Sequence, residues 1–328
     1  MRRRPAITLI EVLVAILIMA IGLLALLTLF PLGALRMATA LQDERDASSA
    51  SAGANICDAF DLRHDPQYDP PVAASSLFLT PPPNGYNYPP ASQVGAGIPI
   101  YVDPWGFAGG LPNNVGNGFN ATTPTPPTPG LWRVSPSAAK MRLPSSGASL
   151  AARYFTLPDD MTFFTNGLPD TGTPPGSTAI QRAGRYTWAY LLKRPQPGSI
   201  SSPVDLTVVV YVGRPPTLPL SAESTYAAAG LSNDTLVTVT HPLNTPPNIR
   251  RGTWILDTTY NQTTGSVNGD FYRVVSITTV DASHVNLELQ TPISKPLPLT
   301  AITVMDNVSE VFFRGIGDSS QWEFHAQP

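Results

Sequence analysis

The sequence predicts an α+β protein in which a long N-terminal helix, transmembrane in its first half and amphipathic in its second, packs on an antiparallel sheet. A further β-rich module, a barrel or a sandwich, is appended to that sheet. Three observations predict this class: an apolar run near the start, a proline-free stretch with helical spacing after it, and short aromatic and β-branched segments between turn residues in the second half. A period of 3.6 residues indicates helix, and short segments bounded by turn residues indicate strands.

The apolar run extends from Val12 to Leu35 and contains no charged residue. A helix needs about 20 apolar residues to cross a bilayer, so this run predicts a membrane span. Glu11 stands at the head of the run. An ionisable side chain so close to the hydrocarbon is costly, and Glu11 is therefore a candidate functional residue.

A short basic leader precedes the run, and it reads Met1-Arg-Arg-Arg-Pro-Ala6 before Ile7-Thr-Leu-Ile-Glu11. A secretory signal would place a small-residue cleavage site after its apolar core, and no such site ends this run. The order of basic leader, small residue, Ile-Thr-Leu-Ile-Glu and long apolar helix resembles the prepilin signal of type IV pilins and type II secretion pseudopilins. The segment Ala20–Leu27 is similar to that of PilV-like minor pilins and minor pseudopilins.

The resemblance implies that a prepilin peptidase cleaves between Ala6 and Ile7 and that the new amino terminus of Ile7 is methylated. The family usually has glycine before the cut and phenylalanine after it. Because alanine is the smallest replacement for glycine, we expect cleavage to survive at a reduced rate. In the family's filaments, the carboxylate at the position of Glu11 meets the N-terminal amine of a neighbouring subunit. Local pairing with the amine of the same helix, and a simple anchor with a stray glutamate, are the alternatives.

The leader also predicts the location and the partners of the chain. Its three arginines place that end in the cytoplasm, so we expect a single-pass inner-membrane protein with a periplasmic C-terminal part that enters a filament after assembly. The expected partners are the prepilin peptidase, other pilin or pseudopilin subunits, the inner-membrane assembly platform and the lipid bilayer. Nucleic acid is not expected, because 20 basic against 23 acidic residues leave a net charge of −3 and no basic footprint.

Composition divides the chain into seven segments. The leader covers residues 1–6, the transmembrane half of the helix 7–35 and its amphipathic half 36–62. Residues 63–180 are rich in proline and glycine and predict a long ordered loop region, because proline is excluded from helix interiors and central strands. A pilin-like β-hairpin core follows at 181–215, a β-rich module at 225–315 and a tail at 316–328.

The hairpin is predicted from two segments, Arg185–Lys193 and Val204–Val212, with Pro195-Gln-Pro-Gly198 between them. Short strands follow after Gly230 with turn residues between most of them, which is typical of a small barrel or sandwich. We expect the amphipathic half of the helix to cover one face of the hairpin, because an uncovered two-stranded ribbon is only marginally stable.

The sequence predicts no catalytic, cofactor-binding or metal-binding residue, and no cofactor. Its four histidines lack zinc-ligand spacing, and no nucleophile-elbow, phosphate-loop or dinucleotide motif is present. The oxygen-rich segment 257–270 does not match an EF-hand, so a plain turn is favoured there and a calcium site stays open. Cys57 is the only cysteine, either a buried apolar residue or one half of an intermolecular disulfide.

Three functions therefore compete. The first is a non-enzymatic minor pilin or pseudopilin of a type IV pilus or a type II secretion filament. The second is a membrane-anchored extracytoplasmic β-domain that binds a carbohydrate, a peptide or a secreted substrate and never polymerises. The third is an enzyme within the β-rich module, for which the sequence contains no recognisable set of catalytic residues. The Ile7–Glu11 motif favours the first.

Overall fold

The computed structural model describes residues 9–64, 99–108, 111, 114–115, 131–136, 154–163, 182–193, 204–215, 218–261, 266–293 and 298–316. Helix α1 runs from Leu9 to Ala59 with Pro31 inside it, and a short 3-10 turn follows at Leu62–His64. The predicted helix from Ile7 to about Leu62 agrees with this, although Ile7 itself lies outside the described residues. The chain forms two compact units, Met1–Ala47 and Ser48–Pro328.

The described part of the first unit is helical throughout, from Leu9 to Ala47. Its described side chains are exposed, with the exception of Asp46. Thr39 donates from its hydroxyl to the carbonyl of Leu35 one turn earlier, at 3.1 Å.

The second unit holds the strands and one short helix, α2 (Pro104–Ala108). In chain order the described strands are β1 (Ile100–Val102), β2 (Asn114–Val115), β3 (Leu131–Val134), β4 (Tyr186–Lys193), β5 (Asp205–Val212), β6 (Glu223–Gly230), β7 (Leu236–Thr240), β8 (Trp254–Asp257), β9 (Tyr260–Asn261), β10 (Ser266–Val267), β11 (Asp270–Thr279), β12 (His284–Leu289), β13 (Leu299–Met305) and β14 (Val308–Ile316).

Six of these strands form one sheet in the order β14-β5-β4-β1-β3-β2. The predicted hairpin is its centre, since β4 pairs antiparallel with β5 from Tyr186–Val212 to Lys193–Asp205. The prediction of an antiparallel sheet holds for the other pairs, but β1 and β3 are parallel. The sheet is therefore mixed, and the long stretch of chain between Val102 and Leu131 provides the crossover that a parallel pair requires.

The C-terminal turns of α1 cover one face of this sheet, as predicted. Ala50 and Cys57 of the helix are fully buried against Trp188, Tyr190 and the alternating apolar residues of β5. Gly53 allows this approach: its carbonyl accepts a hydrogen bond from the Tyr190 hydroxyl at 2.7 Å. A Cβ at Gly53 would stand 3.0 Å from the Trp188 ring.

A closed barrel covers the other face of the sheet. It has the strand order β11-β12-β7-β6-β13-β8 among the described residues, and its interior is apolar, with Val237, Leu287 and Ile302 fully buried. Its outer residues Trp254, Leu256 and Phe271 pack with Ala189 and Val209 of the hairpin. Strands β4 and β5 are therefore buried on both faces, which explains why they are apolar almost throughout rather than alternating.

The α+β class, with the helix packed on a sheet and a barrel as the further β module, is thus confirmed. In sequence the barrel strands β6, β7, β8, β11, β12 and β13 lie between β5 and β14. The segment Val311–Phe313, which the sequence groups with the second strand cluster, pairs instead with β5 at the edge of the sheet. The local hydrophobic pattern of a strand does not indicate which strand far along the chain it pairs with.

Candidate functional site

The N-terminal part of α1 carries the candidate site. Glu11 stands in the first turn of α1, where a carboxylate is favoured by the partial positive charge of the helix terminus. Its side chain is exposed. The two other predicted site residues, Ala6 and Ile7, lie outside the described residues, so the geometry of the cleavage site and of any pairing with Glu11 stays a prediction.

The side chains around Glu11 form an exposed apolar surface. Leu9 is 80% exposed and Phe30 is 79% exposed. Between and beyond them the large exposed apolar residues are Ile10, Val12, Leu13, Val14, Ile16, Leu17, Ile18, Met19, Ile21, Leu23, Leu24, Leu27, Leu32, Leu35, Met37 and Leu41. Contiguous apolar surface of this extent marks a protein or membrane contact.

Pro31 interrupts the backbone hydrogen bonding of α1 within this exposed apolar stretch. It has no N–H to donate, and its ring crowds the carbonyl of Leu27 one turn earlier, yet α1 continues through it to Ala59. The site is therefore a helix with one carboxylate at its start and a locally weakened turn at Pro31.

Residues 1–27 match the family model described as the prokaryotic N-terminal methylation motif. The chain carries an N-terminal methylation motif. The motif spans the leader, Glu11 and the first part of the apolar run, and it supports a prepilin-type pilin or pseudopilin. It implies processing by a prepilin peptidase, assembly with other pilins and a membrane-anchored N-terminus. A comparison with curated proteins found no match.

Within the part of the chain that the structure describes, no helix has both the length and the apolar character to cross a bilayer.

A second cluster of charged residues, which the sequence did not predict, is buried where the sheet meets the barrel. Asp103 follows β1, and both its oxygens accept from Arg214 at 2.7 Å. Its carboxylate also lies 3.2 Å from Nε of Arg133 in β3. Arg133 in turn donates to Glu223, the first residue of barrel strand β6.

The buried carboxylate of this cluster is held in its charged form. Burial alone would raise the pKa of Asp103, but Arg214, then Arg133 and the Gly106 N–H outweigh it and hold that pKa below its usual 3.8. The Arg214 guanidinium also stacks over the Tyr211 ring at 4.0 Å. Each charge in the cluster is paired, so it joins sheet to barrel as a structural element rather than offering a reactive group.

Only a weak signal for this cluster exists in the sequence. Arg133 is the one charged residue in the apolar segment Leu131-Trp-Arg-Val134. Its partners Asp103, Arg214 and Glu223 are distant along the chain and share no spacing, so only the tertiary fold brings them together.

The described part of the segment 257–270 contains a buried carboxylate, Asp257. Asp257 accepts from the Thr259 N–H and from the Asn268 side-chain amide, each at 2.9 Å, and burial raises its pKa. Each oxygen of Asp257 thus accepts a hydrogen bond from a residue of the same segment. Among the residues that the structure describes, no group of three or more His, Cys, Asp or Glu side chains is placed to hold a metal ion.

Proposed function

We propose that this protein is a non-enzymatic minor pilin or pseudopilin of a type IV pilus or type II secretion filament. A prepilin peptidase cleaves it between Ala6 and Ile7 and methylates Ile7. The mature subunit stays in the inner membrane with its C-terminal part in the periplasm, and the assembly platform then transfers it to the filament. In that filament the Glu11 carboxylate pairs with the N-terminal ammonium of a neighbouring subunit.

The methylation motif over residues 1–27 carries this proposal. The apolar surface that begins at Leu9 supports it, because such a helix needs either lipid or the helices of other subunits around it. Opposite charges attract more strongly in a medium of low dielectric than in water. A carboxylate at Glu11 and an amine at Ile7 of a neighbour would therefore fix the register of otherwise featureless apolar helices.

The second candidate is an anchored β-domain that never polymerises. The closed barrel favours it, since a module with its own apolar core could bind a ligand without any filament. Two requirements distinguish the candidates. Only a pilin or pseudopilin needs cleavage before Ile7, and only it needs contacts between the N-terminal helices of different subunits.

N-terminal mass spectrometry of the membrane-extracted protein tests the proposal. We expect a mature chain that begins at methylated Ile7. The variant Ala6→Gly should be processed at least as completely, and Ala6→Arg should stay full length, because the peptidase needs a small residue before the cut. An unprocessed Met1, or a start beyond Leu35 in the wild type, would show that the segment is not a prepilin signal.

A further inference from the structure

A cleft of about 150 Å³ lies between the end of the hairpin and the Gly269–Asp270 turn of the barrel. Leu191 and Lys193 of β4 and Asp205 of β5 line it. Successive strand residues point to opposite faces of a sheet, so these three side chains share the face that the barrel covers further along. Phe313 of the edge strand β14 also lines the cleft.

In the described part of the chain, the two cations whose charges act on Asp205, Lys193 and Arg63, are hydrogen-bonded to other groups. Lys193 donates from Nζ to the Asp270 carboxylate at 2.8 Å and to the Asn268 carbonyl at 2.7 Å. Arg63 donates to the carbonyl of Val204 at 2.6 Å and to that of Gly315 at 3.3 Å.

Asp205 differs from these groups, because no described residue donates a hydrogen bond to its carboxylate. Burial raises the pKa of Asp205, and the charges of Lys193 and Arg63 only partly offset this effect. A carboxylate that is partly desolvated without a donor is stabilised by any cation that reaches it. The cleft therefore offers an acceptor for a positively charged ligand.

Phe313 supplies an aromatic surface beside this carboxylate. Its side chain is 62% exposed, and its ring meets Trp254 edge-on with 6.3 Å between centroids. The pairing of β14 with β5 shifts register between Phe313 and Gly315, so a β-bulge sets the direction of the strand here. Bulges commonly re-aim side chains near binding sites.

We propose that this cleft binds the guanidinium of an arginine side chain that another protein presents, with Asp205 as the hydrogen-bond acceptor and Phe313 as the stacking surface. The volume fits one side chain, whereas sites for larger small molecules measure about 300–1,000 Å³. Arginine suits the pair of groups best, because its planar fork matches a carboxylate and stacks on an aromatic face.

The full-length protein in detergent micelles can report on this cleft through two amides. Only Arg251–Gly252 and Arg314–Gly315 place an arginine directly before a glycine. Labelling with [13C-carbonyl]arginine and [15N]glycine therefore selects the amide signals of Gly252 and Gly315. Gly315 lines the cleft, and Gly252 lies in a turn of the barrel where its N–H bonds to Val274. Arg314→Lys removes the Gly315 signal from this spectrum and so assigns it.

Titration with N-acetyl-arginine-N-methylamide should shift the Gly315 signal in a saturable way and leave Gly252 unmoved. The neutral citrulline analogue and the Asp205→Asn variant should each bind about 10-fold more weakly, since hydrogen bonds to charged groups contribute about 1.5–3 kcal/mol. Phe313→Ala should also weaken binding. The matched control Glu288→Gln, which changes an exposed carboxylate on β12, should bind like the wild type.

Three results would overturn the proposal. The first is no shift of Gly315 at ligand concentrations up to about 100 mM, where even one side chain's contacts give detectable binding. The second is equal affinity for the capped lysine or citrulline analogue, or for the Asp205→Asn variant with an unchanged melting temperature. The third is tighter binding of free arginine than of the capped form, which would make the cleft a site for the soluble amino acid.

Discussion

Glu11 is exposed in the structure, and a charge at this position becomes costly once apolar helices or lipid surround it. We predict that Glu11→Val leaves membrane insertion intact, because the change removes a charge near the hydrocarbon. Incorporation into filaments should fall strongly, since the ammonium of the neighbouring subunit would then be buried without a partner. Cysteine cross-linking of filament fractions measures incorporation, and membrane flotation measures insertion.

Glu44→Val is the matched control for this prediction. Glu44 is an exposed carboxylate of the same helix that lies outside the methylation motif. We expect near-normal incorporation of this variant. If Glu11→Val enters filaments as well as the Glu44 variant does, pairing between Glu11 and a neighbouring amine is not what orders the subunits.

Cys57 is the second residue with a clear expectation. It is fully buried, and burial raises the pKa of its thiol to about 12. Because the thiolate is the reactive species, iodoacetamide at pH 8 should leave the folded protein unlabelled and modify it fully in guanidinium. Labelling of the native protein at the denatured rate would contradict the observed packing. The burial fits the interpretation of Cys57 as a small apolar core residue rather than an intermolecular disulfide.

At the level of elements, the contact between α1 and the sheet depends on the absence of a side chain at Gly53. We predict that Gly53→Leu destabilises the folded state by about 1–3 kcal/mol or more, because the new side chain overlaps Trp188 in a packed core. The matched variant Gly33→Leu meets open space, with no atom within 4 Å of its Cβ, and should leave stability nearly unchanged. Thermal unfolding compares the two, and equal melting temperatures would show that α1 does not rest on Trp188.

The elements that the sequence predicted well are those with a long periodic signal. The hairpin segments Arg185–Lys193 and Val204–Val212 coincide with β4 and β5 to within one residue at each end. Strands β1 and β3 fall in the segment read as an ordered loop. A strand as short as Ile100–Val102 gives no measurable period.

Strand β6 was also missed, for a different reason. Its sequence, ESTYAAAG, is rich in alanine, which strands disfavour. Pairing with β7 and β13 on both sides, rather than local preference, holds it in the barrel.

Across the whole molecule, the buried charges link the two layers of strands. We predict that Arg214→Leu costs about 3–5 kcal/mol, because it leaves the Asp103 carboxylate buried without its main partner. The double variant with Asp103→Asn should recover part of this loss, since the remaining amide carries no charge. Denaturant unfolding of the wild type, the two single variants and the double variant measures the coupling. Additive losses would show that the two residues act independently.

The same cluster gives a pH dependence with a defined sign. The pKa of Asp103 is lowered in the folded state from an ordinary value of 3.8, so its contribution to stability is fully present above that value. It is lost as the pH falls through the lower folded value. The sequence could not have predicted this cluster, because its four members are distant along the chain and only the tertiary fold brings them together.

The position of β14 beside β5 affects the order in which the strands can pair during synthesis. The chain emerges from its N-terminus, and β5 ends at Val212, whereas β14 begins at Val308. At about 5–20 residues per second, the edge of β5 waits roughly 5–20 s for its partner. During that interval the hairpin also lacks its barrel cover, since β8 and β11 are still arriving. An apolar ribbon with an open edge aggregates readily, so we expect strands β4 and β5 to depend on a chaperone until the later strands appear.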